Sequence, residues 1–167
     1  RGKAFQLKNM PKTTRRKKCL NIGRMLFTAI SACILISACN AVQNQELGVV
    51  DSRLTDCPSS PNCVSSDSRD PAHQIPPFNF TGPPEQAWRL LIDQVAQLPR
   101  TTIVKQEPAY LHVECRSRML GFIDDMELHL RPDRGIIAVR SAARTGYYDF
   151  GVNRDRLEKL RSILLKE

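Results

Sequence analysis

Three carboxylates crowd into four positions at Asp124, Asp125 and Glu127. Strand alternation puts Asp124 on the side of Met126 and Leu128, where an unpaired carboxylate is costly, so it requires a partner. Arg140, Arg144 and Arg154 are the expected candidates. Two readings follow: a structural ion pair, or a buried acid serving hydrolysis or, with Glu127, metal binding. Glu127 falls on the opposite side of a regular strand, which counts against joint coordination unless a bulge intervenes.

The densest polar segment is R-S-A-A-R-T-G-Y-Y-D-F-G-V-N-R, residues 140–154. Arg140, Arg144, Tyr148, Asp149, Asn153 and Arg154 beside a helix start suit an anion such as a phosphate or carboxylate headgroup. The plainer alternative is a loop stapled by Arg–Asp pairs, with Tyr147 and Tyr148 covering the end of a sheet. Cys57 and Cys63 bracket C-P-S-S-P-N-C; in an oxidising compartment a disulfide closes this loop, contributing about 2 kcal/mol. A metal or redox pair is the competing reading, but the spacing is not C-x-x-C and no His lies nearby. Cys115 falls on an apolar strand face and reads as buried and inert. His112 and His129 project from the other sheet face, expected to be solvated, with no third metal ligand evident. No catalytic residue, metal or cofactor is assigned.

Periodicity supplies the elements that must position these groups. Trp88, Leu91, Ile92, Val95 and Leu98 follow Pro84 at helical spacing until Pro99. Four strand runs come next, at Thr101–Gln106, Tyr110–Arg118, Phe122–Arg131 and Ile136–Ser141. Asn153 is placed to cap a last helix bearing Leu157, Leu160, Ile163 and Leu164. With an edge strand in Ile75–Phe80, the order is (β)-α-β-β-β-β-α. That order predicts an α+β two-layer sandwich, with an antiparallel sheet of four to five strands and two helices on one face. Seven of the eleven prolines lie in residues 57–84, so that stretch reads as an ordered wrap or a loose arm.

The net charge of +8 is unevenly placed. Residues 1–38 carry nine basic residues and no acid, leaving 16 basic against 17 acidic afterwards, so the body lacks a nucleic-acid footprint. The uncharged stretch Met25–Ala38 spans about 21 Å as a helix, short of the roughly 30 Å hydrocarbon core, and fits an export signal better than a permanent span. Ile36-Ser37-Ala38-Cys39 resembles a bacterial lipobox, in which Cys39 is the lipid (palmitate-bearing) attachment residue; an ordinary signal end is the alternative. Asn40 in place of Asp gives no inner-membrane retention cue, which points to the outer membrane, facing the periplasm. Residues 1–38 are thus an export signal, with Met10 a candidate start. Residues 39–56 are the lipidated Cys and tether, 57–84 the proline arm, and 85–167 the body.

L-T-D-C-P-S-S-P-N-C-V-S-S (54–66), F-I-D-D-M-E-L (122–128) and V-R-S-A-A-R-T-G-Y-Y-D-F-G-V-N-R-D-R-L-E-K-L-R (139–161) together resemble the domain of unknown function 1499 family. The resemblance makes 54–167 one family domain and implies a small envelope or organelle-lumen module behind an export signal or anchor. It lends no reaction, cofactor or catalytic residue. The expectation is therefore an envelope lipoprotein with a non-catalytic module for a small amphipathic ligand, lipid or partner protein, and no nucleic acid. A small periplasmic hydrolase using Asp124 and a purely structural assembly factor are the alternatives.

Overall fold

The computed structural model describes residues 46–164. The export segment and Cys39 lie outside the described residues. The described residues belong to one compact unit, and among them no helix is long and apolar enough to cross a membrane.

The described residues open with a hairpin of two-residue strands, β1 (Val49–Val50) and β2 (Arg53–Leu54), followed by β3 (Cys63–Ser65) and β4 (Phe78–Asn79). Helix α1 (Pro84–Ala96) precedes strands β5 (Thr101–Gln106), β6 (Tyr110–Arg116), β7 (Ile123–Arg131) and β8 (Ile136–Ala143), and α2 (Val152–Leu164) closes the fold. The main sheet is antiparallel in the order β3-β8-β7-β6-β5, and β4 pairs with β8 beside β3. It therefore has six strands where four to five were expected. The extra strand lies in the proline arm, where Cys63–Ser65 falls between Pro61 and Pro71, so its ladder groups stay free to pair with Arg140–Ala142.

Strand alternation sorts the sheet into two faces. Leu111, Val113, Met126, Leu128, Ile137 and Val139 bury against Trp88, Leu91 and Val95 of α1 and Leu157 and Leu160 of α2. These side chains carry most of the hydrophobic stabilisation, about 1.5–3 kcal/mol each when fully buried. A bulge between Ile103 and Lys105 turns the outer edge strand β5, leaving Val104 exposed and blunting that edge.

The centre of the second face is covered, contrary to expectation, although Arg116 stays exposed and His129 is half-buried. Residues 46–56, expected to be tether, fold back over it. Leu54 buries with Tyr110 and Ala138, and the Gly48 N–H donates to Glu127 Oε1 at 2.6 Å. Asp67 fastens this cover. It accepts from the Leu54 N–H at 2.9 Å and from Arg131 Nη1 at 2.8 Å, and its carbonyl takes Arg53. Alternation shows which side a residue faces but not what covers that side, so His112 and Glu127 turn out buried.

Candidate functional site

The acids of β7 are divided between the faces. On the helix face Asp124 Oδ2 accepts from Arg156 Nη2 at 2.6 Å. Arg140, Arg144 and Arg154, its expected partners, are engaged elsewhere or lie apart from it. Burial lifts the Asp124 carboxyl above its usual value, and Arg156 only partly opposes this. Arg156 Nη1 also donates to Asn153 Oδ1 at 2.6 Å and to Ser141 Oγ at 3.0 Å.

Asn153 does not cap α2, because the helix already begins at Val152 and the Asn153 side chain is turned into the fold. The cap is Asp149, which accepts from the Gly151 and Asn153 N–H groups, each at 3.0 Å. Asn153 Nδ2 donates to Asp149 Oδ2 at 2.9 Å and to the Asn62 carbonyl at 3.2 Å. Asn62 in turn donates to the Gly146 carbonyl at 2.5 Å. The network thus joins Asp124, the start of α2 and the loop closed by the Cys57–Cys63 disulfide, which is formed.

On the opposite face Arg144 binds Asp125 through two nitrogens, at 2.8 and 2.7 Å, and reaches Glu114 Oε1 at 2.6 Å. His112 Nε2 lies 2.7 Å from Asp125 Oδ1. Burial works against the Asp125 charge, yet the bonds from Arg144 and His112 bring its carboxyl down to about 2. Its carboxylate keeps the Arg144 guanidinium firmly charged. Deeper on this face Glu127 Oε2 accepts from Arg140 Nη1 at 2.7 Å, with both side chains closed to solvent, and Glu127 Oε1 takes the Tyr110 hydroxyl at 2.7 Å. Asp124 and Glu127 therefore serve different faces and cannot share one metal ion.

Of the residues in the 140–154 segment, Asp149 and Asn153 come together and Arg140 and Arg144 are drawn away to the other face. Arg154 is half-buried without an ion pair among the described residues. Tyr147 and Tyr148 do not cover the sheet; they are 72% and 60% exposed. Arg156 was missed from sequence, although its place in the Asn153, Arg156, Leu157, Leu160 stripe already set it on the sheet-facing side of α2. Cys115 is buried as expected, and burial pushes its thiol up.

Two concavities stand out among the described residues. One of about 640 Å³ lies between the β1–β2 hairpin and the disulfide loop, where Glu46, Asp51 and Asp56 offset Arg53, Arg69 and Arg140. The other, of about 370 Å³, lies between the end of α1, the ends of β5 and β6, and α2. Leu98, Pro99 and Val152 give it apolar walls, while Arg100, Arg116, Arg118, Arg156 and Lys159 face a single lining acid, Asp155. Arg156 is committed to Asp124 and Arg116 approaches Glu114 at 3.8 Å. Arg100, Arg118 and Lys159 have no carboxylate partner among the described residues.

The model of the protein family of unknown function DUF1499 matches residues 53–164. The chain belongs to the DUF1499 family. No curated protein and no solved structure matches it. The DUF1499 match begins at Arg53 on β2 and ends with α2. Both ion-pair networks, the disulfide and the basic groove therefore lie within the family domain. Gly48, which closes the cover over Glu127, precedes it.

Proposed function

We propose that the chain is a bacterial envelope lipoprotein, anchored through Cys39 and facing the periplasm. Its DUF1499 domain is a non-catalytic binding module for a small amphipathic ligand. The basic leader, the short apolar run and Ser37-Ala38-Cys39 support the anchor, and Asn40 supports the outer membrane as destination.

The observation that carries the binding reading is the composition of the groove at the end of β5 and β6. Most buried acids and their arginines satisfy one another, so their charges hold the fold. Arg100, Arg118 and Lys159 are cations left over beside apolar walls, which suits a ligand with an anionic head and an apolar body. The groove replaces the 140–154 loop as the place to look.

Native mass spectrometry of residues 40–167 from a periplasmic host tests this. A retained molecule that is lost on denaturation, and weakened by Arg118→Gln with Lys159→Gln, is the expected result. A clean apo mass that stays apo with added anionic amphiphiles would sink the reading. The hydrolase alternative rests on Asp124, a buried carboxylate 2.6 Å from Arg156 whose carboxyl is raised by that burial. It requires a turnover that Asp124→Asn abolishes in a variant that remains folded.

A further inference from the structure

The end of the sheet that holds the groove also displays six large apolar side chains that are more than half exposed. Met119, Leu120 and Phe122, on the β6–β7 hairpin, are 91%, 71% and 53% exposed. Tyr147, Tyr148 and Phe150, on the loop after β8, are 72%, 60% and 87% exposed. The two segments adjoin, since the Arg144 N–H donates to the Ile123 carbonyl at 3.1 Å. At the opposite end, the turns at 107–109 and 132–134 show no exposed large apolar side chain.

Phe150 adds a second peculiarity. Its backbone is left-handed, with φ 56°, a conformation that a bulky residue rarely adopts, and no burial of its ring compensates. The ring instead meets Tyr148 edge-on, with centroids 5.3 Å apart, so the two aromatics project as a pair.

The charges around this end are mainly positive. Arg100, Arg116, Arg118 and Lys159 line the groove, and Arg154 lies at the start of α2. Among the acids, Asp149 is occupied as the cap, Glu114 is bound to Arg144, and Asp155 stands exposed.

We propose that this end of the domain docks on an anionic phospholipid bilayer, the hairpin tip and loop aromatics entering the headgroup layer while the groove cations take lipid phosphates. A membrane interface is layered in the same order, with apolar matter within, a zone where tyrosine sits amphipathically, and phosphates outside. A protruding Met-Leu tip flanked by cations fits that layering better than the flat, charge-poor core of a protein interface. The phosphate contact rests on the binding reading of the groove; insertion of the tip does not.

Tryptophan quenching in the full chain, reconstituted in vesicles with brominated acyl chains, tests the proposal. Phe150→Trp reports on the docking end and Asp133→Trp on the opposite end. The unsubstituted chain, whose Trp88 is buried, supplies the background. Both positions are exposed, and matching thermal unfolding confirms that the variants fold. Severalfold stronger quenching at position 150 than at 133 is expected when phosphatidylglycerol is added to phosphatidylcholine. Arg118→Gln with Lys159→Gln removes the phosphatidylglycerol dependence. Equal, weak quenching at both positions in protein that floats with the vesicles overturns docking and assigns the patch to a protein partner. Strong quenching at 150 that ignores both lipid charge and the double variant overturns the phosphate contact alone. A groove that retains no anionic amphiphile, with quenching intact, removes the small-ligand reading and leaves docking standing.

Discussion

Asp124 and Asp125 are chain neighbours bound to different arginines on opposite faces of one sheet. Asp124 meets Arg156 of α2 at 2.6 Å, and Asp125 meets Arg144, just past β8, at 2.7 Å. The pairing leaves α2 latched from within and the β8 exit latched from without. The side-chain relative exposures of Asp124 and Asp125 are only 9% and 3%, so each pair is worth more intact than broken.

Removing one partner of the inner latch should therefore be severe. Arg156→Ala is expected to cost about 3 kcal/mol, because it strands the buried Asp124 charge and opens the Asn153–Ser141 network. Arg154→Ala, two positions away without an ion pair, should stay within about 0.5 kcal/mol of the parent. Urea unfolding of both variants and of Asp124→Ala/Arg156→Ala checks this; the double variant should lose clearly less than the sum of the singles.

Acid should undo the outer latch. Asp125 titrates at about 2 in the fold against an ordinary 3.8, and the Asp67 carboxyl is also lowered despite its burial, by Arg131 and the Leu54 N–H. A depressed carboxyl stabilises the fold above its unfolded pKa and loses that contribution as pH falls through the folded value. Asp125 alone contributes about 2 kcal/mol at neutral pH, lost between about pH 4 and 2. Asp124, raised by burial, slopes the other way. Thermal unfolding from pH 6 downward should show a flatter acid slope in Asp125→Asn than in the parent.

Reduction of Cys57–Cys63 should lower stability by about 2 kcal/mol, the modest value of a short loop. The disulfide anchors the segment carrying Asn62, whose carbonyl accepts from the Ala143 N–H at 3.0 Å. Unfolding with and without reductant, repeated on Cys57→Ser/Cys63→Ser, measures the effect; an unchanged midpoint would remove the staple from the account.

Phe150→Gly should separate stability from docking. Glycine tolerates φ 56° where phenylalanine is strained by about 1 kcal/mol, against which stands only an exposed contact with Tyr148. The melting temperature should hold or rise while binding of unanchored residues 40–167 to phosphatidylglycerol vesicles falls. A clear loss of stability would mean that the ring supports the fold.

Much of the fold was legible because it is written locally. Period-two runs marked β5 to β8, and the Trp88–Leu91–Val95 and Leu157–Leu160 spacings marked both helices, since each element must turn its own apolar residues to one side. The same alternation separated Asp124 from Glu127 and required a cation for Asp124. The spacing of Cys57 and Cys63 allowed the disulfide.

Tertiary structure alone decided which cation answered, what covered the second face and what the loop ends formed. Arg156 displaced Arg140, Arg144 and Arg154 because the seating of α2 on the sheet, a long-range matter, sets which nitrogen reaches the carboxylate. Residues 46–56 turned an expected outer surface into an interior because Leu54, Gly48 and Asp67 find partners far along the chain in Tyr110, Glu127 and Arg131. The groove and its apolar rim exist because four separate segments finish at one end of an antiparallel sheet. Sequence spacing fixes the side on which a residue stands, but proximity between segments dozens of residues apart arises only when the sheet and helices close on a common core.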